Sequence, residues 1–229
     1  MSETNWDDVM AAGVRLQQLL PDAVLVGETA AAMRASHRIS LDDDHVLTDL
    51  RERFDDVLAH LEESEGWVTA RVNRPVLILG SLDGVETGIR QLIRRLPLEV
   101  EEVETPAGPL RLPTLEEMLR IKAWLVLRRN ATRDYLDVVA LADRLGLEAA
   151  ARVCVGLDAF YEDQQGAGGE RVATQLVKQL AEPAPYDLSD VDLGTYRRLA
   201  QRWRDWREVE SACHTLAHAM LDLVSAGEG

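Results

Sequence analysis

The chain has 229 residues, of which 46% are hydrophobic and 28% charged, a composition typical of a folded globular protein rather than a disordered one. Its formal net charge of −15 argues against a protein that coats nucleic acid, because such binding neutralises many phosphates, so any contact with nucleic acid must be local. No apolar run approaches the roughly 20 residues of a membrane-spanning helix, and the acidic first residues do not resemble a signal peptide. We therefore expect a cytoplasmic protein with no membrane partner.

The first 112 residues predict a mixture of helices and strands. In chain order these are a helix over 6–20, a strand over 23–26, a helix over 28–36, a possible strand over 39–47, a helix after Thr48, strands over 67–72 and 76–79, a glycine-broken loop over 80–88, a helix over 89–96 and a strand over 98–103. The remaining residues predict helices almost throughout, over 114–129, 132–145, 147–163, 169–181 and 190–225, with a glycine-rich turn at 166–169. This change of pattern predicts an α+β protein with a small mixed-sheet core over 1–112 and a helical domain over 113–229.

Three consecutive aspartates form the most informative segment of the chain. If the segment is a strand, Asp42 and Asp44 share one face and Asp43 points to the other. Two carboxylates about 7 Å apart on one face repel each other unless a cation lies nearby. Magnesium suits them, because it takes oxygen ligands and keeps positions open for phosphates. Taken alone, however, three aspartates in a row are more often a solvated turn.

Gly27 lies where a strand turns directly into a helix. Backbone N–H groups and the positive end of the helix dipole can face an anion at such a turn. One helix and one strand separate Gly27 from the aspartates, which predicts that the two features meet at adjacent strand ends. A triphosphate would fit between them.

A second set of polar residues lies in the predicted helices downstream. Lys122 is one of only two lysines among 25 basic residues, and lysine is a compact charge that can reach a phosphate. Asp134 and Asp137 are three residues apart on the next helix and so share a face. The alternative is that Lys122 is a surface residue and that Arg133, Asp134 and Asp137 form structural ion pairs.

Together these segments resemble the nucleotidyltransferase signature of the AbiEii/AbiGii toxin family. The residues that carry the resemblance are Gly27-Glu28-Thr29-Ala30, His37-Arg38-Ile39-Ser40-Leu41-Asp42-Asp43-Asp44, Lys122 and the Arg133-Asp134-x-x-Asp137 pattern. They occur in the family's order and cover about residues 20–46 and 113–145. Glu28 departs from the pattern, because the family usually has Gly or Ser there.

The resemblance implies a DNA-polymerase-β-like nucleotidyltransferase fold and a site assembled from both halves of the chain. Asp42 and Asp44 would hold Mg²⁺. Nucleotide contacts would come from Gly27, Glu28, Thr29, Arg38 and Lys122, and Asp134 would act as a base or as an organiser of the site. The implied partners are an NTP, an RNA acceptor such as a tRNA end, and a cognate antitoxin.

Three functions are compatible with these residues. The preferred one is a magnesium-dependent nucleotidyltransferase, acting as the toxin of a toxin–antitoxin pair. A non-catalytic descendant that keeps the fold as a binding module is the main alternative, and Glu28 favours it, since its carboxylate would repel a triphosphate. An antibiotic- or protein-modifying nucleotidyltransferase would differ only in its acceptor. The sequence does not rank Asp83, Glu86, Glu99 and Glu101 as candidates for a third metal carboxylate.

Overall fold

The computed structural model describes residues 4–94, 96–162 and 169–227. The chain divides into two compact units, the first comprising Met1–Met33 and Ile39–Thr114 and the second comprising Arg34–Arg38 and Leu115–Gly229. The short segment Arg34–Arg38 therefore belongs to the helical unit, although the residues on either side of it belong to the sheet unit.

The first unit is built on a mixed five-stranded sheet. Its elements are α1 Trp6–Leu19, β1 Val24–Leu25, α2 Gly27–Ala35, β2 Asp43–Leu47, α3 Phe54–Glu62, β3 Trp67–Asn73, β4 Leu77–Leu82, β5 Val85–Gln91, β6 Val100–Thr105 and β7 Gly108–Pro113. The strand order is β1-β2-β5-β4-β3, and only β2 and β5 pair in parallel. Strands β6 and β7 form a separate antiparallel ribbon. This sheet, followed by helices, confirms the predicted α+β class.

Helix α1 begins where the sequence can satisfy its first backbone N–H groups. The Asn5 side chain accepts hydrogen bonds from the N–H groups of Asp7 and Asp8, and Asp8 accepts in return from the Asn5 N–H. Leu16 of α1 then packs in the core of the unit, where Ile78 of β4 and Ile89 of β5 are also fully buried. This apolar layer holds the sheet that carries the aspartates.

Strand β5 replaces a predicted loop and helix. Residues 80–88 were expected to be a loop and 89–96 a helix, but β4 and β5 form a hairpin with Leu82 opposite Val85. The turn residues Asp83 and Gly84 have φ values of 52° and 84°. Two positive φ angles characterise the type I′ turn that an Asp-Gly pair favours. The glycines that suggested a loop therefore mark a hairpin and a strand.

The second unit is helical, as expected, and includes Lys122 and Asp134. Within the described residues its elements include α4 Leu115–Arg129, α5 Thr132–Leu145, α6 Leu147–Val155, α7 Leu157–Tyr161, α8 Val172–Ala181, α9 Trp206–Gly227 and the 3-10 helices Leu193–Thr195 and Gln201–Arg204. The predicted helix over 190–225 is wrong in its first part, because only the part from Trp206 onward is α-helical. Most of the predicted turn at 166–169 lies outside the described residues. None of the helices in the described ranges is long and apolar enough to cross a membrane.

Candidate active site

The side chains of β2 alternate between the two faces of the sheet. Asp43, His45 and Leu47 are buried, whereas Asp44 and Val46 are half-buried. The strand begins at Asp43, so Asp42 lies immediately before it and is exposed. Asp43 and Asp44 therefore face opposite ways, as expected. The predicted strand over 39–47 is shorter than expected and leaves out Asp42, so the expectation that Asp42 shares a strand face with Asp44 stays a prediction.

Two glycines enclose the carboxylate of Asp44. An added Cβ at Gly88, which lies opposite Asp44 on β5, would stand 2.4 Å from Asp44 Oδ1. An added Cβ at Gly27 would stand 3.0 Å from Asp44 Cβ and 3.2 Å from Asp44 Oδ2, and Gly27 has a φ of 74°, which L side chains rarely adopt. Side chains at these two positions would therefore displace the Asp44 carboxylate. We call Gly27, Gly88 and Asp44 the glycine cradle.

The turn from β1 into α2 is tied to the aspartate segment. The Val26 N–H donates to the Asp44 carbonyl at 2.7 Å, and the buried Thr29 hydroxyl donates to the Asp42 carbonyl at 2.5 Å. Glu28 lies in the first turn of α2, where a negative charge interacts favourably with the helix dipole. The structure thus places Gly27 and Thr29 next to the aspartates, and the spacing along the chain predicted this for Gly27.

Arg90 lies beside Asp44 but was not among the predicted site residues. Its Nε lies 3.3 Å from Asp44 Oδ1, and 47% of its side chain is exposed. It lies on β5 two residues after Gly88, so both occupy the face of the sheet that bears Asp44. The Asp-Gly hairpin signal, followed by a strand parallel to β2, is the feature that would have located both residues.

Asp42 and Asp44 are the two carboxylates that the sequence assigns to Mg²⁺, and this assignment stays a prediction. Gly27 and Gly88 of the glycine cradle enclose the Asp44 carboxylate, and Asp42 is exposed just before β2. Within the described ranges, no group of three or more His, Cys, Asp or Glu side chains is arranged to hold a metal ion. None of the four candidates for a third carboxylate is therefore grouped with the pair, and Asp83 pairs with Arg15 instead. Two carboxylates suffice for Mg²⁺, because this ion usually keeps several waters and takes its other ligands from substrate phosphates.

A second acidic residue and a histidine lie buried behind Asp44. His45 Nδ1 is 3.5 Å from Asp43 Oδ1, and both side chains have no exposed surface. Burial lowers the pKa of His45 to about 3. Burial, together with the nearby charge of Asp44, raises the pKa of Asp43 well above its usual value, against a hydrogen bond from Thr87. Both shifts favour the neutral forms of these two buried side chains.

The helical unit contains a buried charge cluster centred on Asp137 of α5. Arg38 Nη2 lies 2.9 Å from Asp137 Oδ1 and 3.1 Å from Oδ2, Lys122 Nζ of α4 lies 2.6 Å from Oδ2, and His37 Nε2 lies 2.8 Å from Oδ1. All four side chains are at most 2% exposed. Burial would raise the pKa of Asp137, but Arg38, Lys122 and His37 outweigh it and hold the pKa below its usual range. The carboxylate is therefore ionised at neutral pH.

These contacts bear on the predicted roles of Lys122, Arg38 and Asp134. The Lys122 ammonium is buried and committed to Asp137, and the Arg38 guanidinium also lies 5.7 Å from the centre of the Tyr196 ring. Asp134 is buried beside Arg129 at 2.9 Å, and burial raises its pKa although Arg129 opposes the shift. The nucleotide contacts of Lys122 and Arg38 and the catalytic role of Asp134 stay predictions.

No family model matches the chain. Among solved structures, it is similar to MenT4, a nucleotidyltransferase toxin from Mycobacterium tuberculosis, with a TM-score of 0.59 and 17% identity over 94% of this chain and 84% of that one. The fold is that of the nucleotidyltransferases. An antigenic nucleotidyltransferase-like protein from Paracoccidioides brasiliensis also shares this nucleotidyltransferase fold, with a TM-score of 0.52 and 16% identity over 82% of this chain and 94% of that one. At these identities the likeness concerns the fold alone, and membership of the AbiEii/AbiGii family stays a prediction.

The chain is also similar in sequence to part of a group of mycobacterial proteins. It is 41% identical over 130 residues to the heme uptake protein MmpL11 of Mycobacterium tuberculosis, a match that covers 56% of this chain and 13% of the relative. The mycolic acid-containing lipids exporter MmpL11 of Mycolicibacterium smegmatis matches at 36% identity over the same shares of the two chains. Because the chain spans only 13% of these relatives, the match assigns none of their activities to it.

Proposed function

We propose that the protein is a magnesium-dependent nucleotidyltransferase, which moves a nucleoside monophosphate from an NTP to an acceptor. The glycine cradle is the observation that carries the proposal, because the absence of side chains at Gly27 and Gly88 makes room for one carboxylate at the point where a strand turns into a helix. A carboxylate that served only as a solvated turn would not require two neighbouring positions without side chains. The nucleotidyltransferase fold supports the same conclusion.

Each side chain of the site then has a chemical task. Asp42 and Asp44 would hold Mg²⁺, which neutralises developing charge on the phosphates during in-line transfer. The backbone N–H groups at the start of α2, next to Gly27, favour an anion such as a triphosphate. Arg90 is exposed beside Asp44 and can exchange that carboxylate for a phosphate oxygen. Positioning by these groups supplies most of the catalysis in phosphoryl transfer.

We further propose that the acceptor is RNA, such as a tRNA end, and that the protein is the toxin of a toxin–antitoxin pair. Support comes from the motif resemblance and from the fold shared with a nucleotidyltransferase named as a toxin. In this proposal Lys122 and Arg38 support the site by pairing with Asp137, and these contacts fix helices α4 and α5. Asp134 lies one helical turn before Asp137 on α5 and would organise the site.

The decisive experiment incubates the purified protein with each α-labelled NTP, magnesium chloride and total RNA. We expect label to enter the RNA with one NTP preferred, and we expect EDTA to abolish incorporation. Heat-inactivated protein and RNA-free reactions are the controls. If no NTP is bound or consumed with any acceptor, the enzyme assignment is wrong and the non-catalytic binding module replaces it.

A Gly88→Ala variant tests whether the glycine cradle serves the reaction. The added Cβ would stand 2.4 Å from Asp44 Oδ1, so the carboxylate must move. A misplacement of about 1 Å at a catalytic group can cost about 10²-fold in rate, and we expect a loss of that order. Gly156→Ala is the control, because its Cβ would meet its neighbours at ordinary contact distances of 3.4 Å. Equal activities of the two variants would contradict a role for the cradle.

A Glu28→Gly variant tests whether the departure from the family pattern weakens the site. A carboxylate that faces the triphosphate at about 4 Å costs about 1–4 kcal/mol, depending on screening by water. Removing it should then tighten NTP binding by about tenfold or more, measured by calorimetry. Glu28→Gln separates charge from backbone effects and should tighten binding similarly. Unchanged affinity in both variants would show that the Glu28 carboxylate points away from the nucleotide.

A further inference from the structure

An arginine-rich segment stands out in this acidic protein. Residues 196–207 contain five arginines and one carboxylate, a local net charge of +4 in a chain whose net charge is −15. The five arginines, all exposed, are Arg197, Arg198, Arg202, Arg204 and Arg207. We call residues 196–207 the arginine strap. It lies between α8 and α9 and includes the first two residues of α9, in a region where the sequence predicted a continuous helix.

The backbone of the strap is anchored in the helical unit. Leu199 is 2% exposed and Trp203 is 4% exposed, so both are inserted into the core of the unit. The Ala200 N–H donates to the His37 carbonyl at 2.7 Å, and Arg204 Nε donates to the Leu199 carbonyl at 3.0 Å. The apolar residues thus hold the strap in place while its arginines project outward.

The ion pairs of the strap are exposed and weak. Arg202 pairs with Asp143 at 2.6 Å, with both side chains more than half exposed, and Arg207 pairs with Asp205 at 2.7 Å, with the arginine 84% exposed. Exposed pairs of this kind contribute about 0–1 kcal/mol. A phosphate, which binds arginine through two parallel hydrogen bonds, can therefore replace these carboxylates at little cost.

The aromatic rings of the strap are already engaged within the protein. The Trp206 ring meets the Tyr135 ring edge-on at 5.9 Å, Tyr196 faces Arg38, and Trp203 is buried with Arg202 at 4.4 Å from its ring centre. Proteins that hold single strands through base stacking present exposed aromatic rings for it. A nucleic acid would therefore contact this strap through its phosphates.

We propose that the arginine strap binds the phosphodiester backbone of a nucleic acid, with little preference for base. This inference rests on the proposed function, because it gives the acceptor RNA a surface that orients it by its backbone. Phosphate contacts fix orientation without reading sequence. The strap also accounts for how a chain of net charge −15 can bind a polyanion, since the contact is confined to one basic segment.

The test measures binding of fluorescein-labelled oligouridylate and oligoadenylate to the full chain by fluorescence anisotropy, without NTP. The strap variant is Arg198→Gln/Arg202→Gln/Arg207→Gln. The matched control, Arg51→Gln/Arg71→Gln/Arg152→Gln, removes the same charge from exposed arginines elsewhere. We expect the strap variant to bind both oligonucleotides at least about tenfold more weakly. The slope of the logarithm of the binding constant against the logarithm of the salt concentration should also become smaller by about 2, since each lost phosphate contact on a single strand contributes about 0.7. The control should bind like the wild type.

Equal binding by the strap and control variants would overturn the proposal, as would tight binding of only one of the two homopolymers. A wild type that binds polyglutamate but neither oligonucleotide would assign the strap to an acidic protein instead. Denaturation midpoints verify that both triple variants are folded. These measurements need no catalysis, so they test this inference separately from the proposed function. If the wild type transfers nucleotides but the strap variant binds oligonucleotides as the control does, only this inference is refuted. If binding depends on the strap but no nucleotide is transferred, the proposed function is refuted.

Discussion

Replacing Asp44 with Asn is expected to reduce nucleotidyl transfer at least about 10³-fold while leaving the fold intact. The carboxylate is 30% exposed inside the glycine cradle, and the amide keeps its size but loses its charge. A bound metal contributes several kcal/mol of charge stabilisation, and about 4 kcal/mol corresponds to about 10³-fold in rate. Initial rates with labelled NTP, together with magnesium titration of both proteins, measure the effect.

The control for this variant is Asp55→Asn on α3. Asp55 is 79% exposed and pairs with Arg74 at the surface, so its loss should leave transfer unchanged and cost no more than about 1 kcal/mol of stability. Asp42→Asn should resemble Asp44→Asn in magnesium binding if both carboxylates hold the ion. Near-normal transfer and magnesium binding in Asp44→Asn would show that the metal assignment is wrong.

Replacing Asp137 with Asn is expected to lower the free energy of unfolding by about 3–5 kcal/mol. The change removes the charge that His37, Arg38 and Lys122 share in a fully buried position. Breaking a buried pair from one side costs this much because it leaves buried charge uncompensated. Denaturation with urea measures the loss as a shift of the midpoint at unchanged slope.

Asp143→Asn provides a control on the same helix. Asp143 pairs with Arg202 at 2.6 Å, but its side chain is 56% exposed, so we expect a loss of no more than about 1 kcal/mol. Because the folded-state pKa of Asp137 is depressed, its contribution is complete above pH of about 5 and declines as the pH falls through the unfolded-state pKa of about 4. The difference between wild type and Asp137→Asn should therefore be constant from neutral pH down to about 5 and shrink below 4. Equal losses in the two variants would contradict a buried charge cluster.

The sequence located the aspartate segment and the glycine turn because both signals are local. Gly27 and the alternation of Asp43 and Asp44 depend on one turn and one strand, and the structure has both. The position of Gly88 opposite Asp44 was not predictable in the same way, since it depends on pairing between strands more than 40 residues apart in the chain. The Asp83-Gly84 turn did hold that information, but the surrounding glycines indicated a loop.

Lys122 shows that the sequence could not predict which polar side chains are buried. Its residue type suggested a phosphate ligand, and its segment predicted a helix, but neither reveals burial. The structure places it at 0% exposure against Asp137, a contact between two helices that the 3.6-residue period cannot specify. The segment 190–205 was misjudged for a related reason, because Leu199 and Trp203 have helix-like spacing yet anchor an irregular segment.

The placement of Arg34–Arg38 has a consequence for attempts to produce the two halves of the protein separately. A break after Thr114 would leave His37 and Arg38 in the amino-terminal fragment and Lys122 and Asp137 in the carboxy-terminal one. Each fragment would then contain part of a charge cluster whose other members are on a different polypeptide. We expect neither fragment alone to reach the stability of its counterpart in the whole chain, whereas co-expression of the two could restore it by complementation. The sheet unit and the helical unit are thus each compact in three dimensions, but we do not expect a break after Thr114 to yield two independently stable proteins.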